Sequence, residues 1–152
     1  MIRPAQFEPA NPNFEPVVRE SFARQPFMRT LGATLETVAP GEVAITFDFQ
    51  EALCQQNGFL HAGVLASTAD SACGYAALTL APEGTDVLSV EFKINLLAPA
   101  RGARFLAAAR VLRAGRTLTA ATAEVFAFAG GERTLVAVLT ATIISRRSSG
   151  SS

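Results

Sequence analysis

Between Leu60 and Ala81 the sequence reads LHAGVLASTADSACGYAALTLA, and one residue in it, Asp70, carries a full charge. A carboxylate set among apolar side chains costs several kcal/mol or more unless it is paired, hydrogen-bonded or neutralised. Acids are rarely left in such surroundings, so a chemical role explains Asp70 better than packing does. A lone acid of this kind can act as a general base or as a nucleophile. Burial in an apolar helix would make it a better base than a free carboxylate. Three amides precede it in the loop, Gln55, Gln56 and Asn57, and Gln55 could orient a water or a carbonyl. The only histidine, His61, stands nine residues before the acid. A Ser-His-Asp triad through Ser67 or Ser71 has no workable geometry, because helix offsets of three and one from Asp70 leave no place for His61 between them. His61 therefore reads first as a residue shaping the turn into the helix.

The elements that must hold these residues follow from periodicity. Residues from about 62 to 80 are rich in Ala, poor in β-branched side chains and closed by Pro82, so they read as a long helix. It is apolar nearly all round, which predicts burial on most sides. Ala66, Ala69, Cys73, Gly74, Ala76 and Ala77 are small enough to let a sheet approach it closely. Before it, Phe14, Val17, Val18 and Phe22 have helical spacing, ending near Pro26. Two strands then flank the Pro40-Gly41 turn, the second with Val43, Ile45, Phe47 and Phe49 alternating. Four strands follow the helix, and a meander is the simplest arrangement of them. In the first, Leu88, Val90, Phe92, Ile94 and Leu96 alternate against Ser89, Glu91, Lys93 and Asn95. Ala114-Gly115 and GGER mark the later turns. One antiparallel sheet of about six strands wrapped around a long central helix, an α+β layer architecture, accounts for the count. So many Ala, Val and Thr residues on the outer face of the sheet point to an oligomer.

With those elements in place, GFLHAGVLASTADSACGYAA resembles the hotdog-fold acyl-CoA thioesterases of the PaaI type, whose signature is H-G-G before a helix that carries an acid. Here H-G-G is His61-Ala62-Gly63, and the acid nine residues after the histidine is Asp70. The resemblance implies that Asp70 is the general base or nucleophile. It places Gln55 at the family's Asn or Gln position, six residues before the histidine. It assigns the backbone N–H at Ala62, beside Gly63, to polarising the thioester carbonyl. LSVEFKINLLAPA resembles the family strand on which a Ser or Thr assists, and Ser89 stands there. Ala62 replaces the first glycine, which a backbone donor tolerates if the local dihedrals accept a Cβ. Gly74 sits where some relatives carry a hydroxyl. The match covers roughly residues 30 to 145.

Thioester hydrolysis needs an activated water or nucleophile and donors for the developing oxyanion. Asp70 supplies the first; the helix start at Ala62-Gly63 supplies the second through unsatisfied N–H groups and the positive end of the dipole. Eight residues separate Ala62 from Asp70, about 12 Å at 1.5 Å per residue, whereas both must lie near ~3 Å of the reacting atoms. One helix cannot serve one substrate from both positions, and two antiparallel copies can. Two composite sites per homodimer are therefore expected, with a homotetramer as a dimer of dimers. The stretch RGARFLAAARVLRAGR has five arginines and no acid. Arg101 and Arg104 suit the phosphates of coenzyme A, and a solvated strand face explains them equally well. His61, Asn57 and Gly74 complete the candidate substrate contacts.

Composition bounds the rest. A chain of 152 residues, 49% hydrophobic and 17% charged, makes one globular domain. Equal numbers of basic and acidic residues, 13 each, give no bias toward nucleic acid or an anionic membrane. One histidine and two cysteines, Cys54 and Cys73, exclude a disulfide scaffold and metal sites needing several imidazoles or four thiolates. No metal and no cofactor is expected, coenzyme A entering only as part of the substrate. Asp70, the neighbouring hydroxyls and the absence of basic flanks argue against a membrane span; a cytoplasmic setting is expected. The organisation reads as an N-terminal arm and short helix (1–26), a hotdog thioesterase domain (27–146) and a polar, disordered tail (147–152). The alternatives are a non-catalytic acyl-CoA binder, an acyl-carrier-protein thioesterase, or a hydratase. The hydratase needs an Asp and a His acting together, and His61 lies about 13.5 Å along the helix from Asp70.

Overall fold

The computed structural model describes residues 6–149. Helix α1 (Phe14–Arg24) and the short α2 (Pro26–Thr30) precede β1 (Thr34–Ala39) and β2 (Glu42–Asp48). A single 3₁₀ turn at Glu51–Leu53 leads to α3 (Ala62–Leu78), followed by β3 (Thr85–Leu96), β4 (Arg104–Ala114), β5 (Leu118–Ala129) and β6 (Glu132–Arg147). The six strands form one antiparallel sheet in the order β1-β2-β4-β5-β6-β3, with α3 packed on one face. This is the α+β hotdog arrangement that the sequence predicts. The meander covers only β4, β5 and β6, however. β3 pairs with β6 and forms the far edge, and residues 97–103 carry the chain back to the other side. There the inward Phe105 of β4 stacks on Phe47 of β2 with ring centroids 5.3 Å apart.

The core lies between α3 and the concave face of the sheet. Val43, Ile45 and Phe47 from β2, Phe105, Ala107 and Val111 from β4, and Val125 and Leu139 from β5 and β6 fill it. Small residues on α3 (Ala69, Ala72, Cys73, Ala76) let the sheet close against the helix, since side-chain bulk sets the separation of packed elements. The GGER turn works through its glycines: Gly130 and Gly131 both have positive φ, which matches the twist of a tight hairpin. Val18 of α1 is fully buried in the same core, and Phe22 meets Tyr75 of α3 edge to face at 5.8 Å. The N-terminal helix is therefore joined to the sheet-and-helix body.

Helix α3 is buried on most sides, as its composition predicts; Gly63, Ala66, Ser67, Asp70, Ser71 and Gly74 form a less covered stripe along it, at the 3–4-residue spacing of one helix face. The sheet curls around the other positions and leaves that stripe partly open. One expectation needs correction: the end of β6 runs into the stretch expected to be tail, because Arg146 and Arg147 pair with Asp86 and Thr85, and Ser148 N donates to Gly84 O at 2.8 Å. The outermost parts of the expected arm and tail, residues 1–5 and 150–152, lie outside the described residues. Among the described residues, no helix is long and apolar enough to cross a membrane.

Candidate active site

Asp70 sits midway along the open stripe of α3 and is half-buried rather than enclosed. It lines a cleft of about 510 Å³ between α1, α3 and the first half of β3. Ser89 Oγ donates to Asp70 Oδ1 at 2.5 Å, the short length typical of a hydroxyl on a charged acceptor. Simple alternation puts Ser89 on the polar outer face of its strand. A β-bulge reverses this: Ser89 pairs with Ile143 and Glu91 with Thr142, so Val90 is the extra residue and the alternation flips across it. Ser89 thus shares the concave face with buried Ile143 and reaches the acid.

The helix start has a different surrounding. His61 is the N-cap of α3, in extended conformation, and its Nδ1 accepts the Gly63 N–H at 2.8 Å. A Cβ on Gly63 would stand 2.9 Å from that Nδ1, which is why glycine fits here. The imidazole is thereby committed to the cap, the structural role expected of His61, and the Gly63 N–H is consumed by it. Ala62, the first helical residue, is different: among the described residues its N–H has no acceptor. No described non-glycine residue has positive φ, so the Ala62 side chain costs nothing in backbone strain. Gln55 closes its own loop. Its N–H donates to Phe59 O at 2.8 Å, and its Oε1 accepts the Asn57 N–H. The side-chain NH₂ of Gln55 is left as a donor. Asn57 acts through its backbone; its side chain is exposed and lines neither cleft.

Gln55 and Ala62 line a second cleft, of about 400 Å³, together with Phe59, Leu65, Leu97 and Pro99. The two clefts share no lining residue. One chain therefore holds a carboxylate with its hydroxyl partner at one place, and a free N–H with an amide at another. Arg101 stands beside the second cleft, its guanidinium 4.4 Å from the centre of the Phe59 ring. Arg104 does not belong to either cleft. It lies on the outer face of β4 and donates to Glu36 Oε2 at 2.9 Å, because the alternation that buries Phe105 turns Arg104 away from α3. Gly74 lines the Asp70 cleft one turn beyond the acid, with nothing within 4 Å of where a Cβ would stand.

Several residues of the Asp70 cleft escaped the sequence reading: Ser21 and Arg24 from α1, Gln25 at its C-cap, Tyr75 from α3, and Arg146 from β6. Tyr75 had a local signal, five residues after the acid; the others are brought in by topology alone. Burial raises the Tyr75 phenol above its usual range, and the Ser21 hydrogen bond and the Arg24 charge offset part of the rise. Burial pushes the Cys73 thiol up to about 12, with the Asp70 carboxylate adding to it, so this cysteine is an inert core residue. Ser67 Oγ donates to Gly63 O at 2.6 Å, which occupies the hydroxyl a triad would need.

Residues 57–134, half of the chain, match the model of the thioesterase superfamily. The chain belongs to that superfamily. It is accordingly an enzyme of the thioester-hydrolase class, and the hotdog fold read from its motif is the fold it has. A thioesterase family protein from Silicibacter pomeroyi superposes with a TM-score of 0.88 at 50% identity, over 89% of this chain and 99% of that one. The medium/long-chain acyl-CoA thioesterase YigI of Salmonella typhimurium is 32% identical over 124 residues, covering 71% of this chain and 80% of its own. The E. coli PaaI protein from the phenylacetic acid degradation operon shares the fold, with a TM-score of 0.78 at 19% identity over 91% of this chain and 95% of its own.

Proposed function

We propose that this superfamily member hydrolyses acyl-CoA thioesters at sites shared between two protomers, with Asp70 of one chain facing Ala62 and Gln55 of the other. The observation that carries this reading is the division of the machinery into two clefts with no common residue. About 12 Å of helix separates the acid from the free N–H on one chain. The middle of that interval is Ala66, on the open stripe of α3. A two-fold axis beside Ala66 sets Ala62 of each copy opposite Asp70 of the other, and the small residues of the stripe allow two helices to approach. The edge strand β3 supports the same pairing: Val90 and Leu96 are 58% and 54% exposed, and an apolar open edge invites a partner strand.

In the shared site the Ala62 N–H and the α3 dipole polarise the thioester carbonyl, and the Gln55 NH₂ helps to orient it. Asp70, held by Ser89, either takes a proton from the attacking water or attacks the carbonyl carbon itself. The bond to sulfur breaks and the thiolate of coenzyme A leaves; with water as the nucleophile the free acid forms directly, and with Asp70 as the nucleophile a mixed anhydride forms that a water then hydrolyses to the free acid, regenerating the carboxylate. YigI being an acyl-CoA thioesterase supports the choice of CoA ester. The same reading makes the enzyme independent of any metal or cofactor and places it in the cytoplasm. Arg101, beside the second cleft, is the basic group we assign to the CoA phosphates.

Free-thiol release from a panel of acyl-CoA esters tests the reading. Asp70→Asn is expected to lower kcat/KM by about 10²–10⁴-fold, the usual contribution of a general base, while leaving the fold intact. Turnover by the variant at the wild-type rate would contradict the assignment.

A further inference from the structure

Resting on the site proposed above, the composition of the Asp70 cleft says what the far end of the acyl group must be. From Asp70 the cleft continues along α3 past Gly74, where the missing side chain leaves open space, to Tyr75. Tyr75 lies about 7.5 Å from Asp70 along the helix axis at 1.5 Å per residue, the span of a short acyl chain. That end is closed by polar groups from α1. Ser21 Oγ and Tyr75 Oη face each other at 3.4 Å, too long to satisfy either fully. Arg24 lines the same wall and forms no ion pair among the described residues. The other cation of the cleft, Arg146, likewise forms no ion pair among the described residues; it stands opposite Asp86 in strand register, on the β3 side of the cleft, so the exposed Arg24 is the cation on the α1 wall.

A plain alkyl end would pack on Leu78, Val87 and Leu88, but it would cover Arg24 and the Ser21 and Tyr75 hydroxyls without replacing their hydrogen bonds to water, which costs free energy. A carboxylate accepts hydrogen bonds at about four positions and meets a guanidinium in a bidentate pair. We propose that the cleft selects acyl groups ending in a carboxylate, the half-thioesters of short dicarboxylic acids, and that Arg24, aided by the Ser21 and Tyr75 hydroxyls, is the residue that reads that end.

The test compares three six-carbon substrates, hexanoyl-CoA, 6-hydroxyhexanoyl-CoA and adipoyl-CoA, together with the hexanoyl and adipoyl thioesters of pantetheine. Wild type is expected to favour adipoyl-CoA over hexanoyl-CoA in kcat/KM by at least about tenfold, with the hydroxy ester between them, because a site built for a polar group discriminates strongly against its absence. Arg24→Met should collapse that ratio toward one, in the CoA and pantetheine series alike, and Arg24→Lys should restore part of it. Equal or better use of hexanoyl-CoA by wild type would overturn the proposal. So would a loss in Arg24→Met shared by both CoA esters and absent from both pantetheine thioesters, which would give Arg24 to the CoA phosphates. Undiminished hydrolysis by Asp70→Asn would count against the base and leave the adipoyl preference to be judged separately.

Discussion

At the scale of single residues, the site turns on how each polar atom is already committed. Ser89 holds Asp70 by one short hydrogen bond, and a bond to a charged group contributes about 1.5–3 kcal/mol. Ser89→Ala should therefore lower kcat by about one to two orders of magnitude with little change in KM, as steady-state kinetics will show. An unchanged kcat would remove Ser89 from the mechanism. Cys73, with its thiol pushed up to about 12, should remain unmodified by iodoacetamide at pH 8 in the native protein and react only after denaturation, as peptide mapping can report. Asp70 was legible in the sequence because a single charge in an apolar run has few explanations. The Ser89 contact was named only through the family motif, since strict alternation points that side chain outward and the bulge at Val90 is invisible to a period-two reading. The ion pair of Arg104 was hidden for a related reason: its partner Glu36 lies 68 positions away in sequence, beyond any local pattern.

At the scale of elements, the start of α3 carries two functions that substitutions can separate. The His61 cap and Gly63 fix where the helix begins, and Ala62 presents the free N–H. His61→Ala should cost about 1 kcal/mol of stability, the typical worth of an N-cap. Gly63→Ala, whose Cβ would press on the His61 ring, should destabilise as well; both are read from denaturant midpoints. Ala62→Pro tests the donor itself. Proline is well accepted at the first helical position, and His61 already has the extended backbone that precedes proline. The variant should keep its helical circular dichroism and lose turnover by about 10²–10³-fold, the effect of removing one oxyanion donor. Full activity in folded Ala62→Pro would exclude that N–H. The helix and six strands were legible from periodicity and turn residues, whereas the placing of β3 at the edge beside β6 depends on pairings across the whole chain.

At the scale of the whole molecule, the open stripe of α3 and the apolar edge of β3 leave one protomer with two unfinished sites. Phe92 is exposed on β3, and Phe92→Lys should weaken association, shifting sedimentation toward the monomer and lowering specific activity in parallel. The distance of about 12 Å between Ala62 and Asp70, the ground for proposing a dimer, was legible in the sequence; the wall supplied by α1 was not, because nothing local to Arg24 announces that it lines the same cleft as Tyr75. The most direct measurement mixes Asp70→Asn with Ala62→Pro, each inactive alone, in equal amounts under conditions that exchange subunits. Each mixed dimer then holds one intact site, built from Asp70 of one chain and Ala62 of the other. Random exchange makes half of the dimers mixed, so about a quarter of wild-type activity should return, as two-fold symmetry requires. If activity stays at the level of the separate variants although mixed dimers have formed, the sites are not shared between chains.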